Sequence, residues 1–282
     1  MIMKILTFDI EDWYCHDCES GNKNWDNLEV RIYDGVDKIL ISLEEKNITA
    51  SFFILGWLAE KHPSIIKKIV DAGHHIGCHT YQHDLLTNFN RDEFYQDTYK
   101  SKSLIEDVSG KQIDTFRAPA FSITKDNLFV YDVLGELGFR IDCSIFPAKR
   151  DFGGMPNYGE ASPSIIKYGD YVFKEFPINP GKVCGKNIVF SGGGYFRLMP
   201  YNVIRNFTKC QNYTMTYFHP SDFDPDQPDM SHLSLRSRLK NRIGLKGAYS
   251  KYLKYLSDFD FVDIPTAIER IAWEDMPIIK LD

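Results

Sequence analysis

Two histidines four residues apart, His79 and His83, are the best candidates in this 282-residue chain for holding a metal ion. Carboxylates crowd a second point, where Asp9, Glu11 and Asp12 end a short apolar run. Two imidazoles and a carboxylate that face one point, with coordination positions left open, suit zinc or another divalent transition metal. Such an ion would acidify a water molecule and polarise a carbonyl group.

Three further side chains could belong to the same site. Arg117 ends a short strand pattern, Asp142 lies in the next one, and His219 ends a late one. In a parallel sheet or barrel, functional groups gather at the carboxyl ends of the strands. If the sheet is barrel-like, these side chains point toward one mouth together with the histidine pair.

The elements that must position these residues alternate between two hydrophobic periods. The run "MKILTFDI" predicts a strand, "YDGVDKILISLEEKNI" a helix and "ITASFFIL" a buried strand. The rhythm continues with a helix closed by Gly73, the strand "HHIGCH", a long helix ending at Gly110, the strand "DTFRAP", another helix and "FRIDCSIF". This order predicts an α/β fold with a parallel sheet or barrel.

Residues 147–194 break that rhythm with many Gly and Pro residues. They contain one hairpin pattern, "SIIKYGDYVFKEF", which turns at 169–170. We expect an insertion that shapes a substrate surface, in which Tyr158, Tyr171 or Phe173 meets the substrate or supports the loops that do. A helix over 202–209, the strand "YTMTYFH", C-terminal helices and a late strand near "DFDFVDI" follow.

Composition narrows the class of protein. No linker or repeat divides the chain, so a single domain over 1–282 is expected. The 33 basic and 39 acidic residues form no long run of one sign, which argues against a nucleic-acid partner. No segment approaches the roughly twenty apolar residues of a membrane span. The start of the chain lacks a secretory pattern and its six cysteines are typical of thiols, so the expected location is cytoplasmic.

The pair Cys15 and Cys18 in "CHDC" has the spacing of half a zinc knuckle. No second pair at a suitable distance completes a tetrahedral site, so a loop is expected there.

Six motifs in order, "LTFDIED", "TASFFILG", "GHHIGCHTYQH", "FRAPAFS", "IDCSIF" and "YFHP", resemble those of the polysaccharide deacetylases, the NodB-homology group of carbohydrate esterase family four. The resemblance covers roughly residues 4–222 and is greatest to the branch associated with bacterial surface-polysaccharide loci. It implies a distorted (β/α) barrel that hydrolyses N-acetyl groups of amino sugars. It also implies one divalent metal, most typically zinc, held by Asp-His-His.

The resemblance assigns His79 and His83 as metal ligands and leaves His74 and His75 for packing. Family members commonly carry adjacent aspartates, whereas this chain has "TFDIEDW". The carboxylate ligand is therefore Asp12 or Glu11. Strand alternation favours Glu11 if the strand continues. Asp12 keeps the family's residue type and is preferred.

The same resemblance implies the acid and base. Asp9 matches the general base, and Arg117 matches the arginine that orients it. His219 matches the histidine that donates a proton to the departing amine. Asp142 matches the carboxylate that hydrogen-bonds this histidine and raises its basicity. The segment after His219 lacks the aromatic residue expected in the related branch, so substrate contacts there are expected to differ.

Three functions are compatible with these residues. The first is a metal-dependent N-deacetylase acting on an N-acetylated carbohydrate. The second is an amidohydrolase on a small cyclic amide or ureide, and the third is an inactive sugar-binding barrel. An exposed groove lined by aromatics from 152–195 favours a glycan, and a small closed pocket favours the cyclic amide. The sequence leaves the sugar, the native metal and the oligomeric state open.

Overall fold

The computed structural model describes residues 2–16, 23–183, 186–230 and 235–281, and over this length strands alternate with helices. The strands are β1 Met3–Ile5, β2 Thr7–Ile10, β3 Ser51–Ile54, β4 His75–Cys78, β5 Thr115–Phe116, β6 Ile141–Asp142, β7 Ser164–Tyr168, β8 Tyr171–Glu175, β9 Gly181–Val183, β10 Lys186–Ile188, β11 Tyr213–Met215 and β12 Ile278–Lys280. The helices are α1 Ile32–Lys46, α2 Gly56–Lys61, α3 Pro63–Asp71, α4 Arg91–Ser109, α5 Phe129–Glu136, α6 Gly193–Leu198, α7 Tyr201–Cys210, α8 Leu235–Arg242, α9 Leu245–Asp258 and α10 Ile264–Arg270.

The predicted helix ends are confirmed where local chemistry sets them. Helix α4 begins with a capping box, in which Asn90 and Glu93 each accept a hydrogen bond from the other's backbone N–H. It ends at Gly110, whose φ of 64° lies in the left-handed region that glycine adopts without strain. None of the helices in the described ranges combines the length and the apolar composition of a membrane span.

The main sheet has eight strands in the order β12-β7-β8-β6-β5-β4-β3-β2. The strands from β2 to β6 are parallel, and β1, which precedes β2 directly, pairs in parallel with β11. Asn179, just beyond β8, bridges to β11: its Nδ2 donates to the carbonyl oxygen of Tyr213 at 2.7 Å, and its Oδ1 accepts from the N–H of Met215 at 2.9 Å. These side-chain bonds close a distorted barrel, which agrees with the predicted fold class.

Apolar side chains form two cores, one inside the barrel and one between the strands and the helices. The neighbours Phe52 and Phe53 on β3 belong to different cores, as expected when successive side chains of a strand point to opposite faces. On β2, Phe8 belongs to the outer core, so Asp9 points into the barrel. The carboxyl end of the first strand therefore presents a carboxylate to the barrel mouth.

The predicted hairpin is confirmed as β7 and β8, but the expected substrate contacts of Tyr158, Tyr171 and Phe173 are wrong. Strand β8 pairs with β6, so the hairpin extends the main sheet. Phe173 is fully buried against Tyr131, with ring centroids 5.3 Å apart, and Tyr158 is buried as well. Tyr171 packs so closely on α5 that a Cβ at Gly135 would lie 2.2 Å from its ring. All three predicted substrate contacts belong to packing on the far side of the sheet.

The C-terminal strand also differs from the prediction. Near Val262 the chain makes only an isolated parallel bridge to Ile5. The strand beyond it, β12, pairs with β7 at the edge of the sheet.

Cys15, Cys78, Cys143 and Cys210 are free thiols, whereas Cys18 of the predicted loop motif lies outside the described residues.

Candidate active site

Two carboxylates enter the barrel mouth from the first strand. The backbone N–H of Asp9 donates to the carbonyl oxygen of Phe218 at 2.8 Å, which fixes the end of β2 against the chain after β11. Asp9 and Glu11 lie two residues apart and both are buried. The inward alternation of β2 thus continues past its last hydrogen-bonded residue.

Glu11 meets both members of the histidine pair. Its Oε1 lies 3.1 Å from Nε2 of His79 and 3.2 Å from Nε2 of His83. All three side chains are almost completely buried, and their donor atoms lie close enough together to surround one ion. The sequence-based preference for Asp12 in this set is therefore corrected to Glu11.

Asp12 caps a helix. Its Oδ2 accepts the backbone N–H groups of Arg31 and Ile32 at 2.9 and 3.1 Å, at the first residues of α1. Its Oδ1 accepts the N–H of Trp13. A carboxylate in this position satisfies N–H groups that have no partner within the helix and complements the helix dipole. Asp12 supports the fold at the base of the mouth.

The donor set of the cluster fits a divalent cation. Nδ1 of His79 lies 2.7 Å from the carbonyl oxygen of Arg117, and it must donate because a carbonyl only accepts. In the neutral imidazole this leaves a lone pair on Nε2, which faces a Glu11 oxygen 3.1 Å away. Two electron-rich atoms at this distance need a proton or a cation between them. A backbone carbonyl behind a ligand histidine is the usual way to orient it.

The turn that carries the histidine pair has a strained backbone and is held by hydrogen bonds with residues of α2 and α4. Thr80 and His83 have φ values of 62° and 58°, in a region that non-glycine residues seldom adopt. The N–H of Gly56 at the start of α2 donates to the carbonyl of Thr80 at 2.9 Å. Asp97 on α4 accepts the N–H of Tyr81 at 3.1 Å, and burial raises the pKa of this carboxyl group to about 7.

Arg117 holds Asp9, as the resemblance implied. Its Nη1 donates to Oδ1 of Asp9 at 2.6 Å and to Oγ1 of Thr7 at 2.8 Å. The guanidinium group is fully buried and lies 4.0 Å from the centroid of the Phe53 ring. Asp9 is thus held as an oriented proton acceptor.

His219 reaches the same mouth with a different partner from the one expected. Its Nδ1 lies 3.0 Å from Oδ2 of Asp222, and its Nε2 lies 3.9 Å from Oδ2 of Asp9. Burial alone would lower the pKa of His219, but the charge and hydrogen bond of Asp222, aided by Glu11 and Asp9, raise it to about 9. Arg197, 3.1 Å from Asp222, and His219 outweigh the effect of burial and keep the pKa of Asp222 low.

Asp142, the partner expected for His219, lies elsewhere in the barrel wall. It accepts a hydrogen bond from Tyr131 Oη at 2.9 Å and another from Ser144. The pairing of β6 with β8 places it beside Glu175. Burial and the neighbouring charge of Asp142 raise the pKa of Glu175 well above its ordinary value, and burial also raises the pKa of Asp142. The pair therefore shares a proton and cannot orient His219.

Asp222 was missed in the sequence, although a local signal was present. In "HPSD" it stands three residues after His219, and its carboxylate also accepts the backbone N–H of that histidine at 2.9 Å. A carboxylate at this offset closes a capping box at the start of a helical turn. The resemblance to the family implied Asp142 as the partner of His219 instead.

The other two histidines of the motif "GHHIGCHTYQH", His74 and His75, lie outside the cluster, as expected. The His74 ring packs against Phe52 with centroids 5.1 Å apart. Nδ1 of His75 lies 2.9 Å from Oγ of Ser51. Burial lowers the pKa of both imidazoles, so both are neutral packing groups at pH 7.

A cavity of about 510 Å³ opens above these groups. Ala120 and Phe121 lie in its wall, and both have positive φ values, 50° and 55°. Consecutive non-glycine residues in this region store strain, which is typical of functional sites. The wall and rim are formed by Asp9, Glu11, His83, Ala120, Phe121, Phe146, Ala148, Lys149, Arg150, Asp151, Phe152, Pro180, Asn187, Ile188, Val189, Gly193, Gly194, Tyr195, Tyr217 and His219.

Two family models match successive parts of the chain. Residues 5–140 match the polysaccharide deacetylase model, and residues 143–269 match a domain of unknown function, DUF3473. The carboxylates and the imidazole pair lie in the first range, whereas His219 and Asp222 lie in the second. The candidate active site takes residues from both matched ranges.

Relatives of known name resemble only part of the chain. A peptidoglycan-N-acetylglucosamine deacetylase of Bacillus cereus is 36% identical over 114 residues, which make up 39% of this chain and 42% of that protein. Chitin deacetylase 1 of Cryptococcus neoformans is 32% identical over 77 residues, 27% of this chain and 16% of that protein. The chain thus spans less than half the length of each.

Solved structures resemble the chain over nearly its whole length. The crystal structure of a provisionally named polysaccharide deacetylase from Mycobacterium smegmatis superimposes with a TM-score of 0.64 at 18% identity, covering 98% of this chain and 91% of that one. At such an identity the similarity establishes the fold alone.

Proposed function

We propose that this chain is a metal-dependent hydrolase that removes N-acetyl groups from amino sugars of a polysaccharide or its precursor, because its residues 5–140 match the polysaccharide deacetylase model. The observation that carries the proposal is the convergence of two pairs and one triad on one cavity: a carboxylate with its arginine, an imidazole with its aspartate, and a carboxylate with two imidazoles. These groups supply the base, the metal ligands and the acid that amide hydrolysis needs.

Glu11, His79 and His83 would hold the divalent metal, with zinc as the first choice for an oxygen and two nitrogen donors. A metal bound there supplies a Lewis acid that lowers the pKa of water and polarises the acetamide carbonyl. The carbonyl oxygen of Arg117 behind His79 keeps Nε2 of that imidazole available as a ligand atom.

Asp9 and His219 divide the proton transfers. Asp9, held by Arg117, accepts a proton from the attacking water. His219 is protonated at neutral pH and its Nε2 lies 3.9 Å from Asp9 Oδ2, so it is placed to donate a proton to the departing amine. Asp222 maintains both the orientation and the positive charge of His219. Water and the amide are thereby converted to acetate and a protonated amino sugar.

The shape of the cavity supports a glycan over a small cyclic amide. Phe152 and Tyr195 stand at its rim with 38% and 39% of their surface exposed. Exposed aromatic rings beside an open cleft are suited to sugar faces, and a small cyclic amide would require a closed pocket. A role in a surface-polysaccharide locus and a cytoplasmic location stay predictions from the sequence.

The test combines metal analysis with acetate release. Purified protein should contain about one divalent metal per chain and release acetate from at least one of a panel of N-acetylated oligosaccharides. Glu11→Gln should lose most of the metal, because it removes the only anionic ligand of the cluster. Asp12→Asn is the matched control, since Asp12 accepts the backbone N–H groups of Arg31 and Ile32.

Retention of metal in a His79→Ala/His83→Ala double variant would overturn the ligand assignment. A fully metal-loaded protein that releases no acetate from any glycan in the panel, but hydrolyses a cyclic amide or ureide, would transfer the proposal to that alternative. Loaded protein with neither activity would support an inactive sugar-binding barrel.

A further inference from the structure

Two cations stand at the rim of the catalytic cavity in a loop that the proposed chemistry does not use. Lys149 and Arg150 line this cavity, in the segment that follows Phe146. The loop is tied down, because the N–H of Arg150 donates to the carbonyl of Gly153 at 3.0 Å. A Cβ at Gly153 would lie 2.4 Å from the carbonyl oxygen of Phe121, so the loop presses directly on the cavity wall.

The guanidinium group of Arg150 lies close to two aromatic rings. It lies 4.6 Å from the centroid of Phe146 and 5.8 Å from that of Tyr195. An arginine stacked on rings keeps the N–H groups of its planar edge available for another partner. The aromatic contacts also reduce the side-chain entropy lost when that edge binds a ligand.

Neither cation has an acidic partner within the part of the chain that the structure describes. No hydrogen bond or ion pair of the Lys149 ammonium or the Arg150 guanidinium occurs among these residues, although Asp151 is adjacent in sequence and lines the same cavity. By contrast, Arg117 and Arg197 at the same site each pair with a carboxylate. The orientation of Arg150 is therefore left for a ligand.

We propose that the substrate carries an anionic oxygen group, a carboxylate or a phosphate, which Arg150 binds through its planar edge with Lys149 adding charge. The inference rests on the proposed function and specifies its substrate class. The cavity is polarised accordingly: Asp9 and Glu11 lie at its catalytic end, and the two cations lie in the rim loop. A substrate with one anionic group would be repelled from the carboxylates and attracted to the rim, which fixes its direction in the cleft.

The test compares each anionic ligand with a neutral counterpart. For the carboxylate, the probes are N-acetylglucosaminyl-N-acetylmuramic acid and its methyl ester. For the phosphate, they are the 1-phosphate and the methyl glycoside of N,N′-diacetylchitobiose. Binding is measured by calorimetry on an Asp9→Asn background to prevent turnover, and acetate release is measured separately with the wild-type residue at position 9. Charge-assisted hydrogen bonds predict that one anionic probe binds about ten- to a hundredfold more tightly than its neutral counterpart.

Variants of Arg150 locate the preference. Arg150→Gln should remove most of it, and Arg150→Lys should retain only part because the ammonium lacks the planar pair of donors. Arg205→Gln is the matched control, since Arg205 lies on α7 and pairs with Asp258. Unchanged melting temperatures in all three variants exclude unfolding as the cause.

The outcomes separate this inference from the proposed function. An anionic preference lost in Arg150→Gln, with acetate released by the wild type, supports both. The same preference without acetate release supports the anionic site and counts against the deacetylase. Equal binding of charged and neutral probes in both arms, or a preference that survives Arg150→Gln, overturns the inference whether or not acetate is released.

Discussion

Replacing Asp222 with Asn should move the titration of His219 by a predictable amount. In the folded protein the pKa of His219 rises from 6.5 to about 9, and the charge of Asp222 is the largest cause acting in that direction. At about 1.36 kcal/mol per pKa unit, the environment favours the protonated imidazole by about 3 kcal/mol. Without this charge, Glu11 and Asp9 still oppose the lowering effect of burial, so we expect the pKa of His219 to fall back to about its ordinary value of 6.5.

The consequence for activity depends strongly on pH. At pH 8 the protonated fraction of His219 falls from about nine-tenths to about three-hundredths, so kcat/KM should drop about thirtyfold. At pH 6 both forms are mostly protonated, and the loss should stay below about twofold. The basic limb of the profile therefore moves to lower pH in Asp222→Asn. A bound cation would lower the pKa of His219 in both proteins, so the difference between them is the quantity to measure.

Two measurements check this prediction. NMR titration of the His219 ring reports its pKa directly, and acetate release from pH 5 to 10 reports the basic limb. Asp142→Asn is the matched control, because Asp142 contacts Tyr131 and Ser144 and should leave the midpoint of His219 unchanged. An Asp222→Asn protein in which His219 titrates as in the wild type, or an Asp142→Asn protein in which the midpoint falls, would refute the assignment of the partner.

Three further changes have defined outcomes. Asp9→Asn should keep the metal and lose roughly two to four orders of magnitude in rate, as measured by metal analysis and acetate release; loss of metal would make Asp9 a ligand. Glu175→Gln should be more stable than the wild type to urea at pH 8. The pKa of Glu175 is raised in the folded protein, so the stability of the wild type declines as pH rises above about 4.5. Equal stability of the two proteins at pH 8 would contradict the shared proton. Gly153→Ala should lower kcat/KM by forcing the rim loop away from Phe121. Gly247→Ala is the control and should retain activity, because its Cβ meets nothing within 4 Å. Equal activities of the two variants would show that the contact between Gly153 and Phe121 has no influence.

The proposed acid gives the second matched range a role under the proposed function. His219 and Asp222 lie within residues 143–269, and the proposed metal ligands and base lie within 5–140. Strand β11 brings the two together by pairing with β1, and the N–H of Asp9 bonds to Phe218. A chain limited to the first range would therefore lack the proposed proton donor.

The sequence by itself determined the features that depend on neighbours along the chain. Alternation of hydrophobic periods predicted the succession of strands and helices, and the spacing of His79 and His83 predicted that both imidazoles act together. Arg117 could be assigned because its motif ends a strand, and strand ends meet at one edge of a parallel sheet. Each inference uses local geometry, which the backbone repeats wherever the same pattern occurs.

Only the tertiary structure decided which carboxylate meets which partner. Glu11 faces the imidazoles because the chain stays extended beyond β2, whereas Asp12 turns to cap a helix that begins 20 residues later in sequence. Asp222 contacts His219 in place of the expected Asp142, because the pairing of β6 with β8 places Asp142 beside Glu175. Several carboxylates of the same type could contact each cation or imidazole. Which one does so depends on strand pairings and helix positions that involve segments far apart in the chain.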